Sequence, residues 1–224
     1  MVRISDRLRT VAHMCEKGAV VADIGTDHGY LPIYLVQEGK GPLDKAKKHI
    51  CDNCLEDRIQ TRLSDGLEKL SANEADIITI CGMGGRLIAD IVTKGMNVIT
   101  QNTTLIVSPQ SEVGDFRHFL VSQRLVVDDE KMLKEDGKYY FIIKCRKSDE
   151  NVYSEYSETQ YQYGWKLLEN KDKTLYEYLI KEKETNDGIS NSLKKDESNP
   201  TVKLRLQQLS QKNNIIMDAL SYYD

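Results

Sequence analysis

The sequence has 224 residues, of which 40% are hydrophobic and 29% charged, and its formal net charge is −4. These proportions are typical of an ordinary globular protein, and the length suits one domain or one domain with a small appendage. There is no run of about 18 apolar residues, which argues against a membrane span. Asp6, Arg7 and Arg9 interrupt any apolar stretch that a secretory signal would need, so we expect a cytoplasmic protein.

The net negative charge does not indicate a nucleic-acid-binding protein, although a local basic face would be sufficient for one. The N-terminal segment supplies the candidate for such a face, because Arg3, Arg7 and Arg9 lie close together there. We favour the simpler interpretation that this segment is an amphipathic helix. Its inward face would then consist of Ile4, Leu8, Val11 and Ala12.

The five cysteines are an odd number, spread over a chain too long to need disulfides. Cys51 and Cys54 form a C-x-x-C pair, but the sequence has no second pair or histidine cluster to complete a tetrahedral zinc site. We therefore predict no metal site, and expect these two cysteines to be half-buried on a helix face.

From Val20 to about Arg146 the sequence alternates short apolar runs with helical patterns. The runs are AVVADIG, RIQTRLSD, ADIITICG, TTLIVSPQ, LVVDDEKML and KYYFIIKC. This alternation predicts a parallel, doubly wound α/β sheet. The turn signal at 135–138 predicts that the last two runs pair as an antiparallel hairpin. Such a topology is that of Rossmann-like methyltransferases, one α/β fold among several that fit.

The chain changes character near residue 147, which divides it into a predicted α/β domain, 1–147, and a helical domain, 148–224. Apolar residues recur at helical spacing in two stretches of the second domain, separated by a polar connection. This pattern predicts an antiparallel, coiled-coil-like helical hairpin. The two stripes are Trp165, Leu168, Leu175, Leu179 and Ile180, then Val202, Leu206, Leu209, Ile216 and Leu220.

The stretch VVADIGTDHGYLPIYL has the layout of a strand, a small-residue turn and a helix. Its D-x-G-x-x-x-G spacing differs from the glycine pattern of dinucleotide-binding enzymes and lacks the P-loop lysine, which makes a pyrophosphate ligand improbable. Two carboxylates, Asp23 and Asp27, suit a cationic ligand, and S-adenosylmethionine carries a sulfonium and an ammonium group. The candidate binding residues of this loop are Asp23, Ile24, Gly25, Asp27, His28 and Gly29.

Three further predicted strands end in residues suited to a ligand site, at the sheet edge where open α/β sheets bind ligands. Ser64-Asp65-Gly66 places a carboxylate where it can accept a hydrogen bond from an adenine amino group. Cys81-Gly82-Met83-Gly84-Gly85 allows close backbone approach, and Met83 is suited to lie against an adenine ring. Pro109 and Gln110 end the next strand.

These motifs resemble those of the bacterial tRNA (adenine-22-N1)-methyltransferases, the TrmK-like family. The resemblance is carried by VADIGTDHGYLPIYL, GPLDKAKKHI, RLSDGLEKL, ADIITICGMGGRLIADI, LIVSPQ and EDGKYYFII, over about the first 145 residues and more loosely the tail. It implies a Rossmann-like catalytic domain with a C-terminal helical hairpin. It also implies S-adenosylmethionine as methyl donor and N1 of a tRNA adenine as acceptor.

The resemblance also implies roles for residues in the matching motifs. The loop from Asp23 to Gly29 would contact the methionine end of the cofactor, Ser64, Asp65 and Gly66 its adenine, and the glycine-rich segment from Gly82 to Gly85 its sulfonium. N1 of a neutral adenine already has a lone pair, so catalysis would depend on positioning and on stabilising the cationic product. Asp27 is the expected nearby carboxylate, with Gln110 or His28 holding the base edge.

One departure from the fold concerns the second strand, which should follow the first helix and end in an acid that binds the ribose. The segment YLVQEGKGPLDKAKKHI contains no β-branched run, and passes from one helical pattern to the next through Lys40. Either the printed chain omits a strand with its loops, which we favour, or the protein lacks this element and binds cofactor poorly.

Two rival functions remain open. One is an S-adenosylmethionine-dependent enzyme acting on a small molecule or a protein. The other is a non-catalytic cofactor-binding module whose hairpin contacts a partner. The N-P-P-Y type of nitrogen-base enzyme is disfavoured, because the corresponding strand ends in Cys81-Gly82-Met83.

Overall fold

The computed structural model describes residues 4–25, 31, 50–52, 54–55, 57, 59–60, 62, 64–148, 155–196 and 198–224. The chain divides into two compact units, Met1–Ser154 and Glu155–Asp224. Within the described ranges, no helix is both long enough and apolar enough to cross a membrane.

The first unit contains a five-stranded mixed sheet. Its strands in chain order are β1 (Val21–Ile24), β2 (Ile77–Met83), β3 (Thr104–Pro109), β4 (Leu125–Glu135) and β5 (Lys138–Lys147). Their order across the sheet is β1-β2-β3-β5-β4. The first three strands are parallel, whereas β5 is antiparallel to both β3 and β4. This arrangement confirms the predicted parallel sheet that ends in an antiparallel hairpin.

Three helices of this unit are described in full. They are α1 (Asp6–Met14), α2 (Gly85–Lys94) and α3 (Val113–Ser122). Helix α1 begins after Ser5, whose hydroxyl accepts a hydrogen bond from the Leu8 amide at 3.3 Å, as expected of a helix N-cap.

The predicted inward-facing residues are confirmed, although Ile4 lies before α1 and not in it. Ile4, Val11 and Ala12 are buried in a core cluster that also contains sheet residues Ile77, Ile106 and Ile142, and Leu8 packs against that cluster. The N-terminal arginines do not form one exposed basic face in the described residues. The Arg7 guanidinium lies 5.2 Å from the centre of the Tyr140 ring, and Arg9 forms an ion pair with Asp6.

The strand predicted from RIQTRLSD is not observed. Its described residues, 59, 60, 62, 64 and 65, lie outside any strand, and the Ile59 amide makes a local hydrogen bond to the Leu55 carbonyl at 3.0 Å. Strand β1 is therefore the edge of the sheet as described. Ile59, an apolar residue of this segment, is buried without belonging to a strand, at 5% exposure.

The second unit is helical. It contains α4 (Glu158–Tyr163), α5 (Trp165–Glu169), α6 (Lys173–Leu193), a 3-10 turn (Lys194–Asp196) and α7 (Pro200–Ser221). Helices α6 and α7 run antiparallel, because hydrogen bonds join Tyr223 to Asp172 at one end and Asn186 to Asn213 farther along. The stripe residues Trp165, Leu168, Leu175, Leu179, Leu209 and Ile216 are buried.

Candidate functional site

A cavity of about 590 Å³ lies beside β1. One wall is the strand itself and the residues before it, and the opposite wall comes from the segment 60–75. Seven residues proposed from the sequence to bind cofactor line it: Asp23, Ile24, Gly25, Ser64, Asp65, Gly66 and Met83. The structure thus brings together residues from three separate motifs in one cavity, which extends along β1 from the residues before the strand to Gly25 after it.

Asp23 is a buried carboxylate fixed by its neighbour in the sheet. It is 6% exposed, and its Oδ1 accepts a hydrogen bond from the Thr79 hydroxyl at 2.7 Å. The two residues are register partners on β1 and β2. A carboxylate held in this way presents negative charge to the cavity without needing to reorganise, which suits a cationic ligand.

Gly25 follows β1 and is in close contact with Met83. It has a φ of +77°, and a Cβ added there would lie 1.9 Å from the Met83 Cε. The absence of a side chain at Gly25 therefore lets Met83 lie across the end of the strand, in the cavity wall. A flexible thioether in this position is suited to contact a flat aromatic ligand.

Ser64 and Asp65 are held by two other residues of the site. The Ser64 hydroxyl accepts a hydrogen bond from the Lys69 amide at 3.2 Å, and the Lys94 Nζ lies 2.9 Å from Asp65 Oδ2. The Asp65 carboxylate raises the pKa of Lys94. Both members of this pair are largely exposed, so the Asp65 carboxylate remains accessible to a ligand in the cavity.

Arg62, which the sequence analysis did not single out, occupies the wall opposite β1. Its guanidinium donates to Gln60 Oε1, to the Lys69 carbonyl oxygen at 2.9 Å and to a Glu74 carboxylate oxygen. The Arg62 hydrogen bond and that of the Ser71 amide lower the pKa of Glu74 to about 2. No sequence pattern indicates this role, because the partners of Arg62 lie up to 12 residues away and share no spacing rule.

The other proposed site residues do not belong to the described lining of this cavity, namely Cys81, Gly82, Gly84, Gly85 and Gln110. Two of these glycines have a packing explanation. A Cβ at Gly84 would lie 2.8 Å from the Ser111 hydroxyl, and one at Gly85 would lie 2.8 Å from the Ser111 carbonyl oxygen. Gly82 has a φ of +82°, so turn geometry accounts for this glycine and close packing for the other two.

Cys81 and Gln110 lie near the cavity without lining it. Burial, assisted by the charge of Asp23, raises the pKa of the Cys81 thiol, so Cys81 remains protonated. Gln110 has an exposed side chain, and its backbone amide donates to the Met83 carbonyl oxygen at 2.9 Å. That hydrogen bond joins the ends of β2 and β3 beside the site.

Several sequence predictions lie outside the described residues, namely those on Asp27, His28, Gly29 and the segment around Lys40. Cys51 and Cys54 are described, and both are exposed, which corrects the expectation that they are half-buried. The part of the chain that the structure describes contains no group of three or more His, Cys, Asp or Glu side chains able to hold a metal ion.

Comparisons with known proteins identify relatives along most of the chain. A family model described as a methyltransferase domain matches residues 4–143. The tRNA (adenine(22)-N(1))-methyltransferase of Bacillus subtilis (strain 168) is 39% identical over 162 residues, covering 67% of this chain and 68% of that protein.

Two solved structures resemble this one over almost its whole length. The crystal structure of the B. subtilis m1A22 tRNA methyltransferase TrmK has a TM-score of 0.82 at 31% identity, covering 98% of this chain and 99% of that one. The structure of M. capricolum TrmK, in complex with the natural cofactor product S-adenosyl-homocysteine, has a TM-score of 0.79 at 29% identity. That match covers 98% of both chains.

Proposed function

Because the chain belongs to the tRNA (adenine(22)-N(1))-methyltransferase family, we propose that it transfers a methyl group from S-adenosylmethionine to N1 of adenine 22 in tRNA. The observation that carries the proposal is the cavity beside β1, which is lined by motif residues that lie far apart in the sequence. The relatives supply the reaction and its substrate, and the cavity supplies a site for the cofactor.

The residues present fit S-adenosylmethionine. The buried Asp23 carboxylate offers negative charge for a cationic group, and Asp65 offers an acceptor for an adenine amino group. Gly25 leaves the space that a Cβ would fill, so backbone and Met83 can approach a ligand closely. When bound, the cofactor supplies the activated methyl group.

The reaction needs little acid–base chemistry from the protein. The N1 lone pair of the adenine forms the new bond to the methyl carbon as the carbon–sulfur bond breaks, leaving S-adenosylhomocysteine and a cationic 1-methyladenine. We propose that Asp27 stabilises this positive charge and that His28 or Gln110 holds the edge of the base. N1 is occupied in a base pair, so the target adenine must be unpaired or extruded.

We assign cofactor binding and catalysis to 1–147, and positioning of the tRNA to the helical domain, 148–224. Within the catalytic domain we assign the methionine end of the cofactor to Asp23, Ile24, Gly25, Asp27, His28 and Gly29, its adenine to Ser64, Asp65 and Gly66, and its sulfonium region to Cys81, Gly82, Met83, Gly84 and Gly85. The substrate would place the enzyme in the cytoplasm.

The test is a methyl-transfer assay with unmodified tRNA, followed by mapping of the methylated base, in parallel with a cofactor-binding measurement. The expected product carries 1-methyladenine at position 22, and Asp27→Ala should lose methyl transfer. An Asp27→Ala protein that binds cofactor and retains transfer near that of the parent would contradict the role of Asp27. Methylation of some other acceptor would support a different methyltransferase. Cofactor binding with no transfer to any acceptor would support a binding module instead.

A further inference from the structure

The cavity wall opposite β1 is held by side chains. Its described residues between 59 and 64 are not in a strand, so no ladder of backbone hydrogen bonds to β1 is described there. The far end of this wall is anchored to the sheet, because the Val20 amide donates to Asp76 Oδ2 at 2.6 Å. The near end must be positioned by other contacts.

Arg62 makes those contacts. One guanidinium bonds Gln60, the Lys69 carbonyl and Glu74, and so joins three points of the wall that span residues 60–74. The Lys69 amide in turn donates to the Ser64 hydroxyl. The backbone of Lys69 is therefore fixed on one side by Arg62 and on the other by Ser64, the residue next to Asp65.

We propose that Arg62 is a positioning residue, which holds Ser64 and Asp65 where they bind the adenosine half of S-adenosylmethionine. This inference depends on the proposed function for the identity of the ligand. A planar fork with five donors can satisfy several acceptors at once, which a lysine ammonium on a flexible stem does with much less precision. The Arg62 side chain is 37% exposed and the Glu74 side chain 31%, so the ion pair alone contributes little to stability. The positioning therefore depends on the geometry of the guanidinium hydrogen bonds.

The experiment measures equilibrium affinity for two probes, S-adenosylhomocysteine and 5′-methylthioadenosine, which share the adenosine half. Arg62→Met should weaken both by the same factor, about threefold to tenfold, because hydrogen bonds that position the wall are lost. Arg62→Lys should recover only a minor part of that loss. In the tRNA assay the KM for S-adenosylmethionine should rise by a similar factor, while kcat at saturating cofactor stays near that of the parent.

Two further variants separate positioning from a general loss of structure. Glu74→Gln keeps the shape of the partner and should show a smaller loss for both probes. Arg146→Met removes a comparable ion pair, with Asp128 at 3.1 Å and 51% and 31% exposure, between β5 and β4. That control should bind both probes like the parent protein.

The outcomes distinguish this inference from the proposed function. If Arg62→Met binds both probes with affinities within twofold of those of the parent, the positioning role is overturned and the proposed function is left intact. A loss for S-adenosylhomocysteine alone also overturns it, because the adenosine half would then be unaffected. A parent protein that binds neither probe overturns both proposals.

Discussion

Gly25→Ala tests the contact that shapes the cofactor cavity. The glycine has a φ of +77°, where an alanine is strained by about 1–2 kcal/mol. The new Cβ would also lie 1.9 Å from the Met83 Cε. The Met83 methyl would have to move by about 1.6 Å or more to restore an ordinary carbon–carbon contact of about 3.5 Å.

Met83 is flexible enough to move, so the collision should affect ligand binding more than folding. The Met83 side chain lies in the cavity wall, and displacing it changes the volume in which the cofactor is proposed to bind. We expect affinity for S-adenosylhomocysteine to fall about tenfold or more, equivalent to about 1.4 kcal/mol or more. Calorimetric titration measures the affinity, and thermal unfolding measures the cost of the strain.

Gly137→Ala is the matched control. Gly137 lies in the turn between β4 and β5 with a φ of +76°, and no described atom lies within 4 Å of a Cβ added there. Both variants should lower the unfolding temperature by similar amounts, whereas only Gly25→Ala should lose affinity. Combining Gly25→Ala with Met83→Ala removes the collision and should recover part of the loss. Unchanged affinity in Gly25→Ala would refute the reasoning.

Three further variants test the packing of each unit, and denaturant unfolding measures each one. Gly85→Ala should destabilise the protein by about 1–3 kcal/mol, since its Cβ would meet the backbone oxygen of Ser111 at 2.8 Å; an unchanged midpoint would contradict this. Glu130→Gln should lower the free energy of unfolding by about 3–5 kcal/mol, because it leaves the fully buried Arg117 guanidinium without its 2.8 Å ion pair. A decrease below about 1 kcal/mol would argue against a buried charge there. Tyr163→Phe should lower the free energy of unfolding by about 1 kcal/mol, because the hydrogen bond from the Tyr163 hydroxyl to a carboxylate of α6 is lost. An unchanged free energy would indicate that water replaces this hydrogen bond.

Local patterns predicted much of the fold because their causes are local. The hairpin of β4 and β5 follows from a short turn signal that includes Gly137, which the structure places at a positive φ. The inward face of α1 follows from the spacing of Leu8, Val11 and Ala12, which places them on one side of a helix. Asp23 and Met83 share one cavity through a general rule, because β1 and β2 are parallel and end at the same edge of the sheet. Asp65 joins them although no strand is described before it, so the tertiary structure decided its place.

Tertiary structure alone decided the features that depend on distant partners. The segment around Ile59 has the apolar spacing of a strand, but a strand also needs a hydrogen-bonded neighbour, and sequence spacing does not show whether one exists. Gly85 is explained by the approach of Ser111, 26 residues later, which a run of glycines does not reveal.

Arg62 illustrates the same division most clearly. From the sequence, Arg62 is known only to carry a charge and five hydrogen-bond donors. It becomes important because the chain returns at Lys69 and Glu74 to contact its guanidinium. The sequence by itself determined most of the alternation of strands and helices, the family motifs and the chemistry of the ligand they suit. The tertiary structure decided which side chains support those motifs. A contact depends on where two segments meet in space, whereas each segment encodes only its own conformation.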